Sequence, residues 1–169
     1  MNDRDRLAAL EGRVSELEAQ LQAMTEPVPD VSVPDSEIFW ALEGLRARVD
    51  EPGAVLLAGR VRLPDGRDAQ WQEASVTDEL LGGEWAESAD MLSALGHPVR
   101  LRLLQRVLAG ATTVPQLTET DGVGTSGQVY HHLRQLTSAG WLRSLGSGRY
   151  EVPVARVVPL LAVIMGARR

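Results

Sequence analysis

Leu7, Leu10, Val14, Leu17, Leu21 and Met24 recur at spacings of 3, 4, 3, 4 and 3, which is the a/d repeat of a short coiled coil. With Leu7 at an a position, Arg6, Arg13 and Gln20 fall at g and Glu11 and Glu18 at e. A parallel pair sets Arg6 against Glu11 and Arg13 against Glu18 of the second copy, whereas an antiparallel pair opposes like charges. The pattern favours a homodimer, or a higher oligomer, over one amphipathic helix packed on its own chain. Pro27, Pro29 and Pro34 then interrupt any helix and favour a stiff extended linker.

Beyond the linker the period changes twice. Asp35 or Ser36 can cap a helix whose buried stripe is Ile38, Leu42, Leu45 and Val49, ending before Pro52 and Gly53. AVLLAGRVRL and RDAQWQEASV, joined at Pro64, Asp65 and Gly66, read as a β-hairpin in which Arg62 faces Asp68 and Gly59 faces Trp71. An aromatic opposite a glycine covers exposed backbone. A helix is expected from Thr77 to Gly96, with a break at Gly82 and Gly83. Trp40, Trp71 and Trp85 concentrate in this stretch, where they fill a core or, alternatively, surround an apolar pocket for a small-molecule effector.

From Met91 onward, Pro98 stands at a first helical position and Gly110 at a stop, with Val99, Leu103, Leu104, Val107 and Leu108 on the apolar side between them. A short helix over about Val114 to Thr120, a turn at Gly122 and Gly124, a longer helix over about Ser126 to Ala139, two strands around Ser147 and Gly148, and an apolar closing helix follow. This is the order of a winged helix-turn-helix. The fold class is therefore mainly α with small β-hairpins, an α+β chain. Its expected parts are a coil over 1–25, a linker over 26–35, an αββα module for dimerisation or sensing over 36–90, and a winged helix over 91–169.

Two phrases carry a family resemblance. MLSALGHPVRLRLLQRVL resembles the opening of ArsR-type winged-helix regulators, and TSGQVYHHLRQLTSAGWL resembles their recognition helix and the start of their wing. The resemblance covers about Met91 to Pro153 and leaves out the coil and the middle module. It implies a DNA-binding transcriptional regulator.

Charge agrees with that expectation. The net charge is −6, yet Met1 to Gly96 holds 8 Arg against 20 acids and His97 to Arg169 holds 9 Arg against 3 acids. An acidic head and a basic tail suit an anionic partner such as duplex DNA, or attraction between the halves. On the Ser126 helix, Val129, Leu133 and Leu136 share a narrow arc, which leaves hydrogen-bonding groups on the opposite side. Thr125, Ser126, Gln128, Tyr130, His131 and Arg134 form the set that can reach base edges or phosphates, and Arg143 and Arg149 flank the wing turn. His131 lies mid-face; His132 flanks the apolar stripe and is expected to be half-buried and hydrogen-bonded to the scaffold.

The neighbouring histidines point about 100° apart and do not share the spacing of a helical zinc pair. His97 stands where a cap precedes Pro98. The chain has no cysteine, which excludes disulfides and thiolate sites. The closing segment, Val154 to Arg169, lacks the carboxylates and histidines with which many ArsR-type proteins hold metal. No GxSxG, P-loop or paired-acid motif points to an enzyme, and no cofactor is implied. No apolar run of spanning length occurs, and MNDRDRLAAL is charged where a signal peptide is apolar, so a cytoplasmic protein without a membrane partner is expected. The reading from a different class is an adaptor whose winged helix and coil bind protein.

Overall fold

The computed structural model describes residues 12–14, 16 and 39–168. Gly12 to Val14 and Glu16 are helical, and Val14 is exposed. The other seam positions, Leu7, Leu10, Leu17, Leu21 and Met24, lie outside the described residues, as do the proline-rich linker, Ser36 and Ile38. The chain divides into two compact units, one ending at Ala47 and the other spanning Arg48–Arg169.

In the first unit, α1 runs Trp40–Arg46 and buries none of its residues. The expected stripe is corrected here: Leu42 is exposed and Leu45 half-buried, and Val49 falls beyond the helix end at Ala47. Phe39 at the N-cap supplies no side-chain acceptor, so the helix is held locally, by backbone bonds and the Arg46–Glu43 pair at 3.0 Å.

The second unit opens with the hairpin β1 (Ala54–Arg62) and β2 (Asp68–Val76). Its register pairs Arg62 with Asp68 and Gly59 with Trp71, as the turn residues require. Leu63 N–H donates to Arg67 O, and Gly66 takes a positive φ of 86° at the turn. The helical stretch after it is broken as expected. Helix α2 (Thr77–Gly82) stops where Gly83 turns extended, a 3-10 turn covers Trp85–Ser88, and α3 runs Ala89–Leu95.

The winged helix-turn-helix follows. Its helices are α4 (Pro98–Leu108), α5 (Val114–Thr118) and α6 (Ser126–Ser138); the wing is β3 (Arg143–Gly146) with β4 (Arg149–Glu151); α7 (Val154–Gly166) closes it. The wing is tied to the segment before α5, because Tyr150 N–H donates to Thr112 O at 2.8 Å and Val114 N–H to Gly148 O at 3.1 Å. Left-handed conformations at Gly146, Ser147 and Gly148 make its tight turn. The chain is thus mixed α+β, with small antiparallel hairpins.

One core unites these parts. Leu103 and Leu104 of α4, Leu117 of α5, and Val129, Leu133 and Leu136 of α6 are buried with Val157 and Leu160 of α7. Leu63 and Ala69 of the first hairpin belong to the same cluster. The hairpin lies on α7, and an ideal Cβ on Gly59 would come within 2.6 Å of a Val158 methyl. The lack of a side chain at Gly59 is what lets α7 approach the hairpin there. Among the described residues, no helix is long and apolar enough to cross a membrane.

Candidate nucleic-acid interface

Helix α6 starts at a capping box. Gln128 N–H donates to Thr125 Oγ1 at 3.5 Å, and Thr125 N–H donates to Gln128 Oε1 at 2.8 Å, which satisfies two first-turn donors. Gly124, at φ 86°, leaves the room into which the Gln128 side chain folds. Val129, Leu133 and Leu136 are each 0% exposed, so the core fixes which face looks outward. That outward face carries Ser126, Gly127, Tyr130, His131, Arg134 and Ser138.

The eight residues singled out from sequence differ in how far they are engaged. Ser126, Tyr130, His131 and Arg134 are exposed and make no side-chain hydrogen bond among the described residues. Thr125 and the Gln128 carbonyl serve the cap, leaving the Gln128 amide nitrogen. Gln135, on the flank, is occupied: its Oε1 accepts from Arg100 NH1 at 2.7 Å. The same guanidinium donates to Ala94 O and Ser93 O, closing the end of α3 and joining it to α6. Arg156 lies 5.8 Å from the centre of the Trp141 ring. Pro115, Thr118, Glu119, Ser126 and Tyr130 border a shallow cleft of about 470 Å³ between α5 and α6. Glu119 at this rim was missed in the sequence, where nothing in its spacing distinguishes it from a solvated acid.

The three histidines meet at the root of this face. His97 Nδ1 accepts from Val99 N–H at 3.2 Å, the expected cap. Its ring centre is 4.7 Å from that of His132, and His131 sits edge-on to His132 at 5.7 Å. His132 is half-buried, but its Nδ1 is enclosed without a hydrogen-bond partner. The expected half-buried placement holds, and the scaffold hydrogen bond is to the Gln135 side chain rather than at Nδ1. Burial, first of all, and then His97, Arg100 and His131 push the His132 imidazole below its ordinary value of 6.5. Among the described residues, no group of three or more His, Cys, Asp or Glu is placed to hold a metal ion.

In the wing, Arg149 is exposed, with its side chain unpaired among the described residues, and Arg143 is 65% exposed but held. Both Nε, at 2.9 Å, and NH2 of Arg143 donate to Glu151 Oε1. Glu151 is 8% exposed and also takes Arg67 NH1 on Oε2 at 2.9 Å. The tryptophans bear on the core-filling expectation. Trp40 and Trp85 are 69% and 68% exposed, and neither fills a core. Trp71 is half-buried and donates from Nε1 to Glu73 at 3.2 Å.

No protein-family model matches the chain, and no curated protein matches it. Among solved structures, the transcriptional repressor BigR from Xylella fastidiosa is similar at 27% identity, over 55% of this chain and 100% of that one, with a TM-score of 0.40.

Proposed function

We propose that the chain is a DNA-binding transcriptional regulator that lays α6 in the major groove of a duplex and sets the wing against the adjacent backbone. The observation that carries this reading is the outward face of α6. Ser126, Tyr130, His131 and Arg134 stand together there without side-chain hydrogen bonds among the described residues, on a helix whose opposite face is locked into the core. Polar groups left unpaired on a rigid, accessible helix suit base edges and phosphates, which offer acceptors and donors at that spacing. Arg149 and Arg143 supply cations on the wing. The ArsR-type phrases in the sequence support the same use of these elements, and self-association through the Leu7 to Met24 repeat would present two such faces to a two-fold site.

The test is selection of duplexes from a random pool by the full chain, followed by affinity measurement on the enriched sequence. One sequence class is expected to emerge. His131→Ala is then expected to weaken binding to it by about 1 to 3 kcal/mol, the usual worth of a good base contact, with thermal stability unchanged. A pool left unenriched would overturn the proposal. A second reading, an adaptor that binds protein, is favoured by one observation: Leu81, Trp85 and Leu92 are 67%, 68% and 53% exposed beside Glu84, Glu87 and Asp90. The unenriched pool is the outcome which that reading requires.

A further inference from the structure

We propose that Arg67, at the turn of the β1–β2 hairpin, is a positioning residue for the wing, acting through Glu151 on Arg143. This rests on the DNA-binding reading above for its effect on affinity, but not for its mechanical part.

Among the described residues Glu151 is a buried charged group, at 8% exposure. A carboxylate removed from water is tolerated only when paired and hydrogen-bonded. Its two oxygens are divided between two elements: Oε1 takes Arg143 from β3 within the wing, and Oε2 takes Arg67 NH1 from the first hairpin. Arg67 NH1 also reaches Val152 O at 3.4 Å. The root of Arg67 is pinned in turn, because its Nε donates to Asp65 Oδ2 at 2.7 Å and its backbone N–H to Asp65 Oδ1 at 3.0 Å. Those two bonds from Arg67, the backbone one foremost, hold the Asp65 carboxyl below its usual range and so keep it charged. Signs alternate along the chain Asp65, Arg67, Glu151, Arg143. Each interior member is satisfied from both sides.

The consequence lies in what Arg67 leaves behind when it is removed. Glu151 would keep one cation, Arg143, whose side chain is 65% exposed. The unsatisfied oxygen must then turn to water or draw the guanidinium inward, and either motion shifts β3. The tip would hold, since Tyr150 and Val114 keep their backbone bonds to Thr112 and Gly148. Loosening is therefore confined to the β3 side. Arg67 itself needs no contact with DNA to have this effect.

The experiment uses the full chain with Arg67→Gln, which removes the cation, Arg67→Lys, which keeps it, and Asp65→Asn at the exposed turn, which frees Arg67 without touching the core. Amide hydrogen exchange without DNA is expected to quicken at Arg143 and Ser144 in Arg67→Gln and in Asp65→Asn, while Leu133 and Leu136 amides keep wild-type rates. On the selected duplex, Arg67→Gln is expected to raise Kd about fivefold, the lower end of coupling between linked sites, and Arg67→Lys to restore most of it. That effect should vanish in an Arg143→Ala background and persist in a His131→Ala background. Unchanged exchange at β3 in both Arg67→Gln and Asp65→Asn overturns the proposal, as does an Arg67→Gln effect of full size in the Arg143→Ala background. If the wild-type chain binds no duplex, the functional reading fails, and the exchange rates alone decide whether Arg67 braces the wing.

Discussion

His132 illustrates what a single position costs and gives. Its ring, on α6, packs against the His97 ring at the N-cap of α4, and a proton there would sit in a half-buried place beside Arg100 and His131. The folded-state value lies below 6.5, so the unfolded chain gains the proton first as pH falls. Stability is accordingly expected to be lost as pH drops through 6.5 and to level off once the folded ring also titrates. Unfolding temperatures of wild type and His132→Gln, measured between about pH 7.5 and 5.5, the window in which histidine changes charge, should converge at the acid end. Equal losses in both proteins would remove His132 as the cause. The outward aim of His131 and inward aim of His132 were legible from the 100° step of a helix. The stacking of the His132 ring on His97 was not, because His97 stands well before it in the chain, at the N-cap of α4.

At the scale of elements, local chemistry was the readable part. The proline at the start of α4 and the turn residues of the first hairpin each fix a boundary or a register by contacts a few residues apart, whereas Thr125 and Gln128, assigned to DNA from sequence, form a capping box. Gly59 shows where that ends. Its pairing with Trp71 followed from the turn, yet the reason for a glycine is Val158, which lies on α7 and far along the chain. Gly59→Ala is expected to destabilise the chain by about 1 to 3 kcal/mol, the usual range for overpacking, and Val158→Ala in the same chain to recover part of it. Denaturant midpoints of the single and double variants measure this. A neutral Gly59→Ala would mean that α7 does not press on the hairpin as described. The stripe assigned to α1 failed for a related reason: helical periodicity says which residues share a face, but not that another surface covers it.

The whole molecule combines an acidic head with a basic tail, and the sequence disclosed that polarity more readily than the packing. The first hairpin reads as part of a module of its own because its partners, α7 and Glu151, come long after it in the chain; in the structure it shares the winged helix's core. Self-association is assigned to residues mostly outside those described. Removing residues 1–25 is expected to lower the oligomeric state by sedimentation while leaving the unfolding temperature of the remainder unchanged, since a proline-rich linker separates the two. Reversing charge at Glu11 and Glu18 should weaken assembly, and adding Arg6→Glu and Arg13→Glu should restore it. Failure of the restored set would exclude parallel pairing. The central claim, that α6 and the wing meet a nucleic-acid backbone, is tested most directly by the salt dependence of duplex binding by the full chain. With Arg134, Arg143 and Arg149 neutralising phosphates, log K should fall linearly with log salt at a slope of about −2 to −3 per chain, and Arg134→Ala should reduce that slope by about one. Binding indifferent to salt, or a slope that Arg134→Ala leaves unchanged, would contradict it.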